Sequence, residues 1–266
     1  MRTTAVRRTV LTASAAALAL VVTACGGSDQ DGGDTKAKDG GSDKPAAKAL
    51  TAGELEKLVL TTGDLEDHEV RKPGKDDVFE PGAVSAEQAE CEPVARVLSA
   101  QPAGEPAASA QRLVTQESEA AGKGMPSMEE LAEMTEEEAE EAALASLDIT
   151  KTMTSLWSYD ADGAERTLDT LREAGKKCAG GFAMTADGEK QQVTKVTEEK
   201  LAVGEDAVAW TVGTELDGTP AETKVVVFRQ GTTLAGFSSF NIAAVGRGEA
   251  FEQPTAVIEA QEAKLG

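Results

Sequence analysis

Val193–Val245 reads VTKVTEEKLAVGEDAVAWTVGTELDGTPAETKVVVFRQGTTLAGFSSFNIAAV, and its punctuation decides the fold. Four strand-like runs, Val193–Val203, Asp206–Leu216, Thr223–Gln230 and Thr232–Val245, are separated only by Gly204-Glu205, Asp217-Gly218-Thr219-Pro220 and Gly231. Connections this short join antiparallel neighbours, because a parallel crossover takes about a dozen residues or more. An antiparallel meander is therefore expected. Upstream, Leu144–Tyr159 alternates in period two. Ala145, Leu147, Ile149, Met153 and Trp157 hold one parity, and Ser146, Asp148, Thr150, Thr152 and Thr154 hold the other. That pattern predicts a long half-buried strand. A shorter strand is expected near Gln111–Gln116.

Helical patterns flank these strands. Thr51 and Glu54 have capping-box spacing ahead of Leu55, Leu58 and Val59, which predicts a helix over Leu50–Leu60. Ser85–Ser99 reads as a second helix, with Pro93 marking a kink or a new start. Ala164–Lys177 places Leu168, Leu171 and Ala174 on one face, and Thr255–Leu265 closes the chain with Val257, Ile258 and Leu265 as anchors. Met128–Ala143 holds eight Glu and no Lys or Arg, so it reads as a solvated helical insertion or a mobile loop before it reads as a binding arm. Helices, then strands, then a helix indicate an α+β fold: an antiparallel sheet of about five to six strands with packed helices, in one domain over residues 50–266.

The N-terminus addresses the chain. Arg2, Arg7 and Arg8 precede the uncharged stretch Thr9–Ala24, whose apolar core Val10–Val22 is too short to span a bilayer. A basic start, a short apolar run and small residues describe a secretory signal peptide. Val22-Thr23-Ala24-Cys25 resembles the bacterial lipobox, in which the Cys thiol takes a diacylglycerol and cleavage falls just before it, here between Ala24 and Cys25. An ordinary signal peptide with a chance Cys is the plainer alternative. Arg7-Arg8-Thr9-Val10-Leu11 leaves Sec and twin-arginine export both open. Residues 25–49 follow as a linker. Asp29–Ala49 carries no aliphatic residue larger than Ala and reads as a flexible tether. The expected arrangement is an exported domain, lipid-anchored to the outer face of the cytoplasmic membrane.

Charge narrows the partners. Of 266 residues, 26 are Lys or Arg and 47 are Asp or Glu, a net charge of −21. Phosphate contacts need clustered Lys and Arg, so nucleic acid is excluded as a partner. Loss of residues 1–24 removes three Arg and no acid and leaves 23 bases against 47 acids, net −24. Such a domain does not dock on anionic lipid by charge. With Cys25 consumed by lipid, Cys91 and Cys178 remain as an even pair in a disulfide-permissive compartment. A structural disulfide is expected, with two buried thiols or a metal or redox pair as the alternatives.

Catalytic signals are sparse. His68, the single His, lies in the polar run Asp64–Glu69, which reads as surface. No Gly-x-Ser-x-Gly elbow, P-loop or His-Glu-x-x-His occurs. Asp160-Ala161-Asp162-Gly163 matches part of a calcium loop but lacks the third acid and a Glu at the twelfth position. No enzyme activity, metal or cofactor is expected.

Three segments carry a resemblance: Leu50–Leu65 with its Thr-Thr-Gly-Asp-Leu ending, Cys91-Glu92-Pro93, and Leu171…Cys178…Phe182 before the meander. Together they resemble actinobacterial secreted sensor-like domains, a family that includes the extracellular sensor domain of a mycobacterial Ser/Thr kinase and many lipoproteins. The resemblance implies a twisted antiparallel sheet with helices packed around a cleft, and an unidentified ligand. This chain departs from that kinase domain in lacking cysteines for a second disulfide and in its Glu-rich insertion.

A binding or sensing module for an envelope or extracellular small molecule is the leading expectation, and a lipid-tethered carrier of a hydrophobic ligand is the alternative. The site is expected on the meander. Val208, Trp210, Val212, Val226 and Phe228 are all even-numbered and are expected on a helix-covered face. The opposite parity offers Thr211, Glu215, Arg229, Phe237, Ser239 and Asn241, a polar mix with one aromatic that suits a polar fragment. Trp157, Trp210, Phe228, Phe237 and Phe240 are expected in the core before they are expected in a pocket.

Overall fold

A computed structural model of the chain describes residues 46–266 apart from Asp217. The expected signal peptide, the lipobox with Ala24 and Cys25, and the tether as far as residue 45 lie outside the described residues. The folded chain is tied in from Ala47 onward: Ala161 N–H donates to Ala47 O at 2.7 Å, and Leu50 N–H donates to Ser158 Oγ at 2.8 Å.

The first helix forms where its cap requires. Thr51 Oγ1 accepts the Glu54 N–H, and the Glu54 carboxylate accepts the Thr51 N–H at 2.8 Å, so α1 (Ala52–Leu58) opens on a complete capping box. Two short strands follow, β1 (His68–Arg71) and β2 (Val84–Ala86). The expected helix over Ser85–Ser99 is shorter. Its start is β2 and a 3-10 turn at Ala89–Cys91, and α2 is Glu92–Leu98. Pro93 sits in the first turn, where its missing N–H is not needed, so it begins the helix and does not kink it. Next come β3 (Ala108–Glu117), α3 (Glu119–Lys123), α4 (Met128–Glu133) and α5 (Glu136–Ser146). The Glu-rich insertion is thus helical, and α4 and α5 each open on a capping box, Ser127 with Glu130 and Thr135 with Glu138.

Strand β4 (Ile149–Ser158) begins later than its alternation suggested, because Leu144–Ser146 belongs to α5. Helix α6 (Gly163–Lys177) leads to β5 (Phe182–Ala186), β6 (Glu189–Glu199), β7 (Asp206–Leu216), β8 (Thr219–Gln230) and β9 (Thr233–Asn241). The last expected strand stops at Asn241, whose side chain caps α7 (Ile242–Arg247), and α8 (Thr255–Leu265) ends the chain.

All nine strands form one antiparallel sheet in the order β1-β3-β4-β9-β8-β7-β6-β5-β2. The α+β class and the meander β6–β9 hold, but nine strands replace the expected five to six. Strands β1, β2 and β5 are too short for alternation to reveal them.

Both faces of the sheet are covered, and the parity expectation is corrected. Strands β7 and β8 meet through a two-residue turn, so Trp210 pairs with Val225 and Val208 with Val227. Val208, Trp210, Val212, Val225 and Val227 share one face with Trp157 and Leu234, under α2 and α6. Val226 and Phe228 lie on the other face with Leu156 and Phe237, under α1 and α8. We call these the α6 face and the α8 face.

Curvature follows from a connection. Residues 72–83 join β1 to β2, the two opposite edges of the sheet. Eight strand spacings of about 4.8 Å make roughly 38 Å across a flat sheet. Twelve residues reach only about 40 Å when fully extended. This segment holds a 3-10 turn at Lys75–Asp77 and a turn closed by Ala83 N–H to Glu80 O, so its reach is much shorter. The sheet therefore curls about the α6 face, and residues 72–83 cross that face as a strap.

Candidate functional site

The end of the α6 face that α6 leaves open is a groove of about 460 Å³. Its floor takes one or two side chains from each of seven strands: Leu113, Lys151 and Met153, Ser238 and Phe240, Ala221 and Thr223, Thr214, Gln191 and Met184. The C-terminal end of α2, Leu98-Ser99-Ala100, makes one wall, and the strap with Asp76, Asp77 and Phe79 makes the other. A second lobe of about 290 Å³, lined by Trp157, Ser109, Gln111 and Pro81, adjoins the first and shares Phe79, Ser99 and Ala100 with it.

Each wall is fixed by hydrogen bonds to the fold. Ser238 Oγ donates to Leu98 O at 2.6 Å, and Gln111 Nε2 donates to Ala100 O at 2.8 Å. Cys91 caps the start of α2 and is bonded to Cys178, which caps the end of α6, with Cα atoms 5.8 Å apart. The expected disulfide is present, and it seats the wall helix on α6. On the strap, Gln101 Nε2 donates to Phe79 O at 3.3 Å and to Glu80 O at 3.1 Å. Arg71 grips Asp77 with two bonds of 2.7 and 3.1 Å, and Gly74 N–H adds a third at 2.7 Å. The Arg71 guanidinium, then the Gly74 N–H, hold the Asp77 carboxyl down at a pKa of about 2.

The six residues expected to bind are not gathered in one place. Phe237 is 2% exposed and stacks on Phe228 within the α8-face core. Ser239 Oγ donates to Thr152 Oγ1 at 2.9 Å in the same interior. Asn241 spends its side chain on the Ala244 N–H, Asp148 and Thr150. Thr211 bonds Glu199 and accepts from Lys224 Nζ at 2.7 Å. In that half-buried cluster burial raises the Glu199 carboxyl, and hydrogen bonds from Thr211 and Lys224 outweigh it and lower the pKa. Glu215 is exposed on the α8 face. Arg229 lies on the α6 face at the far end of β8 from the groove and pairs with Glu205.

The groove uses the even-numbered residues of β9 that the parity argument passed over. Counting register across each hairpin would have found Ser238 and Phe240. Of the five aromatics expected in the core, Trp157, Trp210, Phe228 and Phe237 are buried, whereas Phe240 is 41% exposed in the groove. His68 begins β1, pairs in register with Gln116 and belongs to the α8 face. Among the described residues no group of three or more His, Cys, Asp or Glu side chains is placed to hold a metal ion.

No protein-family model matches the chain, and no curated protein matches it. Among solved structures it is similar to the extracellular domain of PknH from Mycobacterium tuberculosis, at 10% identity and a TM-score of 0.50, covering 82% of this chain and 97% of that one. The likeness is one of fold.

Proposed function

We propose that this chain is an exported lipoprotein, held by a diacylglycerol on Cys25 at the outer face of the cytoplasmic membrane, whose folded unit binds a small molecule of the envelope or its surroundings in the α6-face groove. The observation that carries the reading is a concave site with a seven-strand floor and two walls already tied down. Binding then orders little new structure, which is what a preformed ligand site requires. The sensor role takes its support from the fold likeness to a kinase extracellular domain. This reading takes the groove as a binding site, and two observations support it: the Ser238 hydroxyl donates to Leu98 O, and the lone His belongs to the opposite face.

A second reading is a carrier of a hydrophobic ligand, and the groove's apolar lining favours it. Leu98, Leu113, Met153, Met184, Phe79 and Phe240 all face the space. Native mass spectrometry of the protein purified from its own envelope tests both readings. A retained polar molecule supports the sensor and a retained acyl-bearing one the carrier. Envelope extracts that shift no backbone amide of Thr223, Ser238 or Phe240 would remove the groove as the site.

A further inference from the structure

We propose that the groove selects an amphiphile with a single anionic head group, anchored at Lys151. This rests on the groove being the binding site and names the class of its ligand. Lys151 stands on the floor between Phe240, its register partner on β9, and Thr115, its partner on β3, with Met153 two residues along β4. It is half-buried, and it is in none of the ion pairs of the described residues. Besides Asp77, two other carboxylates line the groove: Glu222 stands 3.9 Å from Lys224, and Asp76 is exposed on the strap. The field of Lys151 reaches Asp77. Both Asp77 oxygens, however, are already taken by Arg71 and the Gly74 N–H.

The Arg71–Asp77 pair is thus neutral as a unit, and Lys151 is the cation left to a ligand. Beside it Phe240 is a large apolar side chain left exposed, so a head group at Lys151 lays its tail across an uncovered apolar floor. The space of about 460 Å³ lies within the range of small-molecule sites. The Asp76 and Glu222 carboxylates on the groove and the chain's net charge of −21 penalise each added negative charge, which favours a head of one charge over a head of two.

The test uses the full chain carrying Cys25→Ser, which does not touch the groove, taken from the soluble fraction or, where the precursor stays in the membrane, in detergent-free nanodiscs with empty discs as the blank. Decanoate, methyl decyl phosphate (a diester of one charge) and decanol are titrated calorimetrically, with backbone amide shifts of Thr223, Ser238 and Phe240 recorded in parallel. A charge-assisted contact at a half-buried lysine predicts binding of the anions about tenfold tighter than decanol. Lys151→Met should bring the anions to the decanol level and leave decanol unchanged. Either anion satisfies the proposal, and the tighter one identifies the source as a fatty acid or a single-phosphate lipid. Equal binding of decanol and decanoate, or a preference that survives Lys151→Met, overturns the anchor; shifts at the three amides would then still keep the groove as a binding site. If none of the three probes shifts those amides, the amphiphile assignment falls, and the groove itself is judged by envelope extracts.

Discussion

Gly175 illustrates how two opposed effects are ranked at a single position. A Cβ there would stand 2.7 Å from the Trp210 ring, which packs against α6 in the interior. Alanine gains at most about 1 kcal/mol over glycine inside a helix, and Gly175 is in the last turn of α6. Forcing a methyl into a filled core costs about 1–3 kcal/mol, and a buried indole has little room to yield. The clash wins, so Gly175→Ala should lower the denaturant midpoint, and a raised midpoint would refute this packing. Asp77 supplies a pH-dependent counterpart. Its folded pKa of about 2 lies below the ordinary 3.8, so the ionised carboxylate favours the folded strap above about pH 4 and that contribution fades as pH falls toward 2. The carboxyl carbon, followed by NMR, should titrate near pH 2, and Arg71→Met should move the midpoint upward. A wild-type midpoint near 3.8 would show the strap unclamped.

Among the elements, α2 depends most on one bond. It has seven residues, and the disulfide at its N-cap fixes it to the end of α6 across 87 positions of chain. Closing so long a loop restricts the unfolded chain by roughly 4–5 kcal/mol in loop-closure entropy. Cys178→Ala should therefore lower stability by about 2–5 kcal/mol under oxidising conditions and leave Cys91 open to a thiol reagent once the chain unfolds. Thermal melting and thiol titration check this, and an unchanged melt would contradict it. The same scale shows what could be read in advance. Alternation over Ile149–Ser158 and the brief turns of the meander were legible because a strand of ten residues repeats its period five times. Strands of three to five residues repeat it once or twice, and β1, β2 and β5 stayed hidden for that reason. Ile242–Val245 passes for more strand, and its only mark is the capping Asn241. Ser238 and Phe240 are reached only by carrying the register through the two-residue hairpins, across which parity reverses, and the strap and the end of α2 that wall the groove have no periodic signal.

For the whole molecule, charge and attachment constrain each other. The chain without residues 1–24 carries 23 bases against 47 acids, and anionic lipid repels such a surface. Among the described residues no helix is long and apolar enough to cross a membrane. On the attachment proposed above, the thioether-linked lipid on Cys25 holds the chain, and a net charge of −24 gives no electrostatic adsorption to back it. A single residue then decides location. Cys25→Ser, the thiol replaced by a hydroxyl that takes no diacylglycerol, should leave either an uncleaved precursor in the membrane or fully soluble protein. A cleaved chain that stays on washed membranes is excluded. Fractionation in low and in 0.5 M salt, with the N-terminus sequenced, separates these outcomes; salt that weakens ionic adsorption should change nothing, because none is present. A cleaved Cys25→Ser chain sedimenting with membranes in both salts would mean that some other part of the molecule binds the bilayer, and the single-anchor account would fail with it.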